Sequence, residues 1–238
     1  MGYCKNKMVK KNLILFFGSS GGIGQELNKI LIKKYKVISF YNKTRISKKG
    51  KLTKKINFLS NKDINNISKI VNLNNYRIII LNFASIKIDK LSLYVEEKDY
   101  KKTMEINVNG FFKVINKVIP FMMKNKWGRV INVSSTGGIL GDKGTILYSM
   151  SKNATLSMMR VMSKEYGKFN ITFNTLKLGN FNLGLFKKLN KEYRKKLLNK
   201  VPSKKTGNIK DILFAIDFLI KANYVNGSSI NIDGGLEE

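Results

Sequence analysis

The sequence predicts an α/β protein built on a doubly wound parallel sheet with helices on both faces. Three observations lead to this fold class: short apolar runs recur along the chain, amphipathic segments separate them, and a glycine-rich turn directly follows the first run. Continuous apolar runs suit strands that are covered on both faces, as in a parallel sheet. Strand alternating with helix is the pattern of a doubly wound fold.

Six runs are predicted to be strands. They are LILFF (13–17), KVISFY (36–41), RIIILNFA (77–84), GRVINVSS (128–135), ITFNTLKL (171–178) and SSINID (228–233). The helical candidates include IGQELNKILIKKY (23–35) and YSMSKNATLSMMRVMSKEYG (148–167), in which apolar residues recur at intervals of three and four. No repeat, linker or low-complexity tail interrupts the pattern, so we expect residues 1–238 to form one domain.

The chain is strongly basic, with 45 lysine and arginine residues, 15 acidic residues and a formal charge of +30. Such a surface can bind nucleic acid by releasing counterions from the phosphates. The lysines are nevertheless spread over the whole length, with no basic arm or tail. We interpret the charge as biased composition with a solvated basic surface and expect no nucleic-acid partner, while attraction to an acidic protein stays open.

The start of the chain is basic and then apolar, as in a signal peptide, but the apolar run is short and leads straight into glycines. Gly2 resembles a myristoylation start, yet Asn6 stands where Ser or Thr is preferred. No stretch approaches the length of a membrane span. The single cysteine, Cys4, excludes an internal disulfide and fits a reducing compartment, so we expect a cytoplasmic protein without a membrane segment.

The first predicted strand runs into GSSGGIG (18–24), and a helix is expected to begin near Ile23. Glycine suits this turn because it adopts positive φ angles and lets a pyrophosphate approach the backbone at the helix N-terminus. The loop therefore predicts a dinucleotide site, although an ordinary glycine-rich turn would share these residues.

A tyrosine four residues before a lysine occurs three times. The pairs are Tyr3/Lys7, Tyr94/Lys98 and Tyr148/Lys152. Only the third opens a long amphipathic segment after a strand that ends in two serines, and a spacing of four places both side chains on one helical face. Because the chain has no histidine, another side chain must exchange protons in any acid–base chemistry.

Together with the glycine loop and the Tyr148/Lys152 pair, four further segments resemble the short-chain dehydrogenase/reductase family. They are LNFAS (81–85), INVNGFF (106–112), VPSKKTG (201–207) and YVNGSSINIDGG (224–235). The resemblance covers essentially the whole chain and implies a single-domain Rossmann-like fold. Within the family, SIKIDKLSL (85–93) and VPSKKTG look most similar to 3-oxoacyl-acyl-carrier-protein reductases.

The resemblance implies four catalytic residues, Asn107, Ser135, Tyr148 and Lys152. Tyr148 would exchange a proton with the ketone or alcohol oxygen, and Ser135 would hydrogen-bond that oxygen as charge develops. Because free tyrosine has a pKa of about 10, we expect the Lys152 ammonium to lower the pKa of Tyr148. By resemblance, Lys152 also binds the nicotinamide ribose, and Asn107 holds a water that links Lys152 to solvent.

The same resemblance places a nicotinamide cofactor along the predicted strand ends. The residues implied are Gly18, Ser20, Gly22, Ile23, Gly24, Asn42, Lys43, Asn82, Ala84, Tyr148, Lys152 and Gly179. Members that use NAD usually have an Asp at the end of the second strand, where this chain continues as YNKTRIS (41–47). Lys43 and Arg45 would pair with the extra phosphate of NADP, so NADP(H) is favoured over NAD(H).

The chain departs from the family pattern at Phe17, Phe83, Ser85, Leu178 and Leu183. The Asp that commonly contacts adenine is also not evident around Phe58 and Leu59. These changes imply weaker cofactor binding than the family norm, or a different closure of the loop 180–202. We expect that loop to form a lid over the substrate.

The predicted function is NAD(P)(H)-dependent interconversion of a ketone and a secondary alcohol. The favoured reaction is NADPH-dependent reduction of a 3-oxoacyl thioester. Two alternatives stay open: a reductase of a sugar or polyol intermediate in polysaccharide synthesis, and a non-catalytic dinucleotide-binding protein. The resemblance also implies a homotetramer that packs through the helix after INVNG and the helix with Tyr148. Their apolar residues Phe111, Phe112, Met158 and Met159 would equally suit the internal core.

Overall fold

The computed structural model describes residues 11–44, 52–72, 76–187 and 189–236. Arg45, Cys4 and the Tyr3/Lys7 pair lie outside the described residues. Within them, the strands are β1 (Asn12–Phe17), β2 (Lys36–Tyr41), β3 (Leu52–Lys55), β4 (Arg77–Asn82), β5 (Gly128–Ser135), β6 (Ile171–Leu178) and β7 (Ser229–Ile232). All pairings are parallel, and the strands form one sheet in the order β3-β2-β1-β4-β5-β6-β7.

The predicted doubly wound fold is confirmed, and six of the strands coincide with the predicted runs. The strand that was missed, β3, has the sequence LTKK and lies at the edge of the sheet beside β2. An edge strand is partly exposed to water and needs no apolar run, so hydrophobicity does not reveal it. Strand β4 ends at Asn82, earlier than the predicted end at Ala84.

Helices follow most of the strands. In the described part of the chain they are α1 (Gly22–Lys34), α2 (Asn61–Asn72), α3 (Glu97–Met104), α4 (Gly110–Lys124), α5 (Thr136–Leu140), α6 (Ile146–Tyr166), α7 (Gly184–Lys187), α8 (Lys191–Asn199) and α9 (Ile209–Lys221). A π-helical turn, Glu105–Asn109, joins α3 to α4. The helix predicted from Ile23 therefore begins at Gly22, and the helix with Tyr148 begins at Ile146.

Helices cover both faces of the sheet. Side chains alternate along each strand, so each strand contributes apolar residues to both layers. On one face, Leu15 of β1 belongs to a core cluster with Val114 of α4 and Met159 of α6. On the other face, Ile14 of β1 belongs to a cluster with Leu27 of α1 and with residues of α9. The two clusters form the layers above and below the sheet.

The direction of strand addition reverses beside β1. Phe17, the last residue of β1, is in register with Phe40 of β2 on one side and with Asn82 of β4 on the other. In doubly wound sheets, ligands bind outside the carboxyl ends of the strands at such a switch point. The topology therefore predicts a site where β1, β4 and β5 end.

At the opposite, amino edge of the sheet, two cations flank Trp127. The Cζ of buried Arg129 lies 4.4 Å from the centre of the Trp127 ring, and the Cζ of Arg77 lies 5.3 Å from it. The Arg129 guanidinium donates to the carbonyls of Ile220 at 3.2 Å and Asn170 at 2.9 Å. These bonds tie the end of α9 to β5. Burial, and secondarily the charge of Arg77, lowers the pKa of Arg129 to about 10.

The apolar residues considered for the subunit interface are divided between core and surface. Phe111 and Met159 are buried, Met158 is half-buried, and Phe112 of α4 is 41% exposed. Phe111 and Met159 therefore belong to the internal core, whereas Phe112 is available for an interface.

The predicted lid, residues 180–202, is not a loop throughout. It contains α7 and the exposed helix α8, which has no buried residue. None of the helices in the described ranges is long and apolar enough to cross a membrane.

Candidate active site

Several predicted site residues lie at the switch point. Asn82 ends β4, and its Nδ2 donates to the Oδ1 of Asn132 in β5 at 2.9 Å. The backbone N of Ala84 donates to the Asn82 Oδ1 at 3.2 Å. These bonds fix how the chain leaves β4. Directly after β6, Gly179 lies so close to the chain after β7 that a Cβ would come 2.6 Å from the Asp233 Cα.

The turn from β1 into the first residues of α1 requires glycine at Gly18 and Gly24. Gly18 has a φ of 75°, and a Cβ there would come 2.4 Å from the Ala84 N. A Cβ on Gly24 would come 2.2 Å from the Gly18 O. The N-cap residue of α1 is Gly21, which has no side chain that could accept from the first N–H groups of the helix, so these groups are without a capping side chain and suit an anion. This set of backbone donors fits the pyrophosphate of a dinucleotide.

The rest of the glycine loop is tied to its surroundings. The Oγ of buried Ser19 donates to the Phe40 O at 2.8 Å, which joins the loop to β2. The Gln25 Nε2 donates to the Ser20 O at 2.9 Å, and Ile23 packs against the core beneath α1. The loop is therefore held in place from both ends.

Gly22, at the start of α1, contacts Gly184, at the start of α7. A Cβ on Gly22 would lie 2.3 Å from the Gly184 Cα, and Gly184 has a φ of 56°. The segment before Gly184 is anchored by buried Phe181, which forms a bridge with Gly207. The chain after β6 thus covers part of the α1 N-terminus.

The end of β2 is polar and basic. Asn42 and Lys43 follow Tyr41 and are exposed. Lys55 of β3 is in register with Tyr41 and adds a second lysine at this edge. The sequence did not reveal Lys55 because the strand that places it was not predicted. Among the described residues that follow β2, none is acidic up to Thr44.

Tyr148 and Lys152 lie one turn apart on α6 and face the end of β5. The Lys152 Nζ is 5.4 Å from the centre of the Tyr148 ring and donates to the Val133 O at 2.9 Å. The Ser135 side chain lies near Tyr148 and lowers the pKa of its phenol, and the Ser135 Oγ accepts from the Gly138 N at 3.3 Å as the N-cap of α5. The structure therefore brings these three predicted residues together.

The pKa of Tyr148 is raised above its ordinary value, whereas the sequence led us to expect a lowered pKa; Lys152 is not among the causes of the shift. Burial is the main cause, the nearby Ser135 side chain acts in the opposite direction, and the negative charge of Asp89 raises the pKa further. Lys152 is itself buried, which lowers its own pKa to about 8. The phenol is therefore protonated at neutral pH.

Asn107 lies in the π-helical turn and is buried. Its Oδ1 accepts from the Ile86 N at 2.8 Å, and its Nδ2 donates to the Ile86 O at 2.9 Å and to the Ser151 Oγ at 3.0 Å. Asn107 therefore joins the chain after β4 to α6, next to the turn with Tyr148 and Lys152.

Two charged residues near Tyr148, Lys87 and Asp89, were not identified as site residues from the sequence. The Lys87 Nζ lies 6.0 Å from the centre of the Tyr148 ring and 3.0 Å from the Asp89 carboxylate. No motif marks Lys87, because one lysine among 45 basic residues is not a signal. Only the fold brings the segment after β4 to Tyr148.

Three residues that differ from the family pattern, Phe17, Phe83 and Leu178, make apolar contacts in the protein. Phe17 stacks on Phe40 with ring centres 4.5 Å apart, and Phe83 packs edge-on against Phe16 at 5.5 Å. Leu178 is buried at the end of β6. These substitutions add apolar packing beneath the site.

A doubly wound sheet with an anion-binding glycine loop at its switch point, and a tyrosine–lysine pair beside it, defines a dinucleotide-dependent oxidoreductase. Residues 12–194 match the family model described as short chain dehydrogenase. The chain belongs to the short-chain dehydrogenase/reductase family and is an oxidoreductase acting on CH–OH groups.

Curated relatives include the 3-oxoacyl-[acyl-carrier-protein] reductases FabG of Rickettsia conorii and Rickettsia felis. They are 31% and 32% identical to this chain, each over 93% of it and 95% of the relative. Among solved structures, a tyrosine-to-phenylalanine variant of ElxO with NADPH bound has a TM-score of 0.84 at 22% identity, covering 96% of this chain and 99% of its own. ElxO with NADP bound has a TM-score of 0.82 at 24% identity, with the same coverage. The structural likeness supports the fold.

Proposed function

We propose that the protein is an NADPH-dependent reductase that converts the ketone of a 3-oxoacyl thioester into a secondary alcohol. The observation that supports this most directly is the placement of Tyr148 with the Lys152 Nζ 5.4 Å from its ring centre and Ser135 at the adjoining end of β5. Because the pKa of the phenol is raised, it stays protonated at neutral pH. Ketone reduction adds a proton to the oxygen, so the reaction requires a protonated acid at the substrate.

The proposed catalytic residues have separate roles. Ser135 hydrogen-bonds the ketone oxygen, and Tyr148 donates the proton to it. Lys152, held through the Val133 carbonyl, stabilises the phenolate that remains. Asn107 is a positioning residue, because its Nδ2 and Oδ1 both hydrogen-bond within the protein, to Ile86 and Ser151.

The proposed cofactor is NADP(H), which supplies the hydride when bound. The uncapped N–H groups at the start of α1 would hold its pyrophosphate, with Gly18, Gly22 and Gly24 allowing the close approach. At the end of β2, Lys43 and Lys55 favour the additional phosphate of NADP, which an acidic residue would repel. The NADP and NADPH in the ElxO structures are consistent with this choice.

The substrate class is supported by the curated relatives, which are 3-oxoacyl-[acyl-carrier-protein] reductases. The net charge of +30 and the exposed basic helix α8, KEYRKKLLN, would favour an acidic carrier protein over a neutral one. We also propose that the chain is a single-domain cytoplasmic protein that assembles as a homotetramer.

The first experiment measures NADPH oxidation with acetoacetyl-CoA, alongside NADH. Tyr148→Phe should reduce kcat by roughly 100-fold or more, because proton transfer by a positioned side chain contributes about 10²–10⁴-fold. Tyr94→Phe is the matched control, since Tyr94 also precedes a lysine by four residues but is exposed outside the site. It should retain full activity.

Equal activity of Tyr148→Phe and the wild type would reject Tyr148 as the proton donor. No turnover by the wild type, with NADPH binding retained, would reject the 3-oxoacyl substrate. A preference for NADH would contradict the cofactor assignment based on Lys43 and Lys55.

A further inference from the structure

A second lysine, Lys87, lies close to Tyr148 in the segment between β4 and α3. Its Nζ is 6.0 Å from the centre of the Tyr148 ring, compared with 5.4 Å for the Lys152 Nζ. Lys152 is buried and donates to a backbone carbonyl, whereas the Lys87 side chain is 33% exposed. Tyr148 therefore has one cation within the protein and another that solvent, or a substrate, can reach.

The backbone on both sides of Lys87 is fixed. Ile86 exchanges hydrogen bonds of 2.8 and 2.9 Å with the Asn107 side chain. After Lys87, the Lys90 N donates to the Gly144 O at 2.9 Å, which joins this segment to the loop before Tyr148. Because anchors lie on both sides, the fold sets where the Lys87 backbone lies relative to the tyrosine.

The present partner of Lys87 leaves the ammonium available. The Asp89 carboxylate lies 3.0 Å from the Nζ, but its side chain is 57% exposed, and exposed ion pairs are weak. An ammonium has three N–H donors, so it can bind another oxygen without releasing Asp89. Lys87 is thus a donor at a fixed place beside the proposed acid, with spare capacity for a ligand.

We propose that Lys87 determines specificity by binding the second oxygen of a 1,3-dicarbonyl substrate. That oxygen is the thioester carbonyl of a 3-oxoacyl thioester, or a carboxylate in the same position. The inference rests on the proposed ketone reduction at Tyr148. In a 3-oxo compound the second carbonyl is separated from the ketone by one carbon, so a substrate with its ketone oxygen at Tyr148 would present its second oxygen toward the Lys87 side chain, whose Nζ lies 6.0 Å from the Tyr148 ring centre. A simple ketone has no such oxygen.

The test compares acetoacetyl-CoA, acetoacetate and 2-pentanone as substrates. Lys87→Met should lower kcat/KM by roughly 10-fold to 100-fold for the two dicarbonyl compounds, because a hydrogen bond to a charged group is lost. It should leave 2-pentanone within about 2-fold, since that ketone makes no bond to Lys87. Lys87→Arg should restore most of the loss. Lys143→Met, which removes an exposed lysine from the loop before Tyr148, should leave all three substrates unchanged.

Two results would overturn the role of Lys87 while leaving the proposed function intact. One is an equal loss on all three ketones, or a changed pH profile with 2-pentanone, which would mean that Lys87 acts on Tyr148 and not on the substrate. The other is no loss on any ketone. If no compound is turned over although NADPH fluorescence shows binding, the proposed function fails, and the inference about Lys87 fails with it.

Discussion

At the scale of single residues, the charges around Tyr148 act in opposite directions. The Ser135 side chain lowers the pKa of the phenol, whereas burial and the Asp89 carboxylate raise it. Asp89 is the only acidic group among the causes of the Tyr148 pKa shift. A conservative substitution of Asp89 can therefore remove this charge without changing the packing around the tyrosine ring.

Asp89→Asn should lower the pKa of Tyr148. In ketone reduction the protonated phenol is the reactive form, so activity falls as pH rises through that pKa. The alkaline limb of kcat/KM against pH should therefore move to lower pH in Asp89→Asn than in the wild type. Asp142→Asn removes an exposed carboxylate from the loop before Tyr148 and should leave the limb in place. Movement to higher pH in Asp89→Asn would contradict the assignment.

The residues of this site differ in how far the sequence reveals them. Ser135, Tyr148 and Lys152 could be predicted as neighbours because a strand end and a helical spacing of four connect them. Lys87 could not be, since only the tertiary fold brings it to the tyrosine. The pKa of Tyr148 was predicted in the wrong direction, because burial is a property of the packed protein and not of the motif.

At the scale of secondary-structure elements, the chain from β6 to α7 lies against the N-terminus of α1. Phe181 anchors the segment in the core, and Gly184 touches Gly22 with a φ of 56°. Because the first N–H groups of α1 are the proposed pyrophosphate donors, this contact competes with the cofactor for the same space. We expect the segment to move outward when a dinucleotide binds.

Gly184→Ala should therefore bind NADPH more tightly, by roughly 2-fold to 10-fold, because a left-handed conformation costs an L-residue about 1–2 kcal/mol and disfavours the contact. Titration by NADPH fluorescence measures the Kd. Gly141→Ala is the matched control: Gly141 has a φ of 79°, but a Cβ there would meet nothing within 4 Å. It should lose stability without a change in Kd. Weaker NADPH binding in Gly184→Ala would show that the segment helps to hold the cofactor.

The sequence predicts those strands and helices whose positions depend on the spacing of apolar residues. The buried strands and the amphipathic helices α1 and α6 follow from apolar spacing, and they occur close to their predicted positions. Strand β3 is short, polar and at the sheet edge, so its pairing with β2 depends on backbone hydrogen bonds that leave no apolar pattern. Helix α8 was likewise not foreseen in the predicted lid, because it buries none of its residues.

At the scale of the whole molecule, a monomer would leave several large apolar side chains in water. Those on α4 and α6 are Phe112, Ile146, Met150 and Val161. Exposed apolar groups are ordinary when scattered, but a group on helices that flank the active site suits an interface between subunits.

Light scattering at micromolar concentration should give a mass four times that of the chain. Phe112→Glu should reduce the mass, because a carboxylate buried between subunits is costly to desolvate. Leu52→Glu provides the control, since Leu52 is similarly exposed but lies on edge strand β3. A wild-type monomer, or equal dissociation of both variants, would reject an interface on α4 and α6.

The cation–aromatic stack at the amino edge of the sheet also determines what spectroscopy can observe. Trp127 is the single tryptophan of the chain, and it is enclosed by Arg77 and Arg129 at the end of the strands opposite the active site. Its emission therefore reports whether the sheet and α9 remain assembled, independently of events near Tyr148. A substitution that alters catalysis but leaves this emission unchanged has acted locally, which gives every variant described above an internal test of folding.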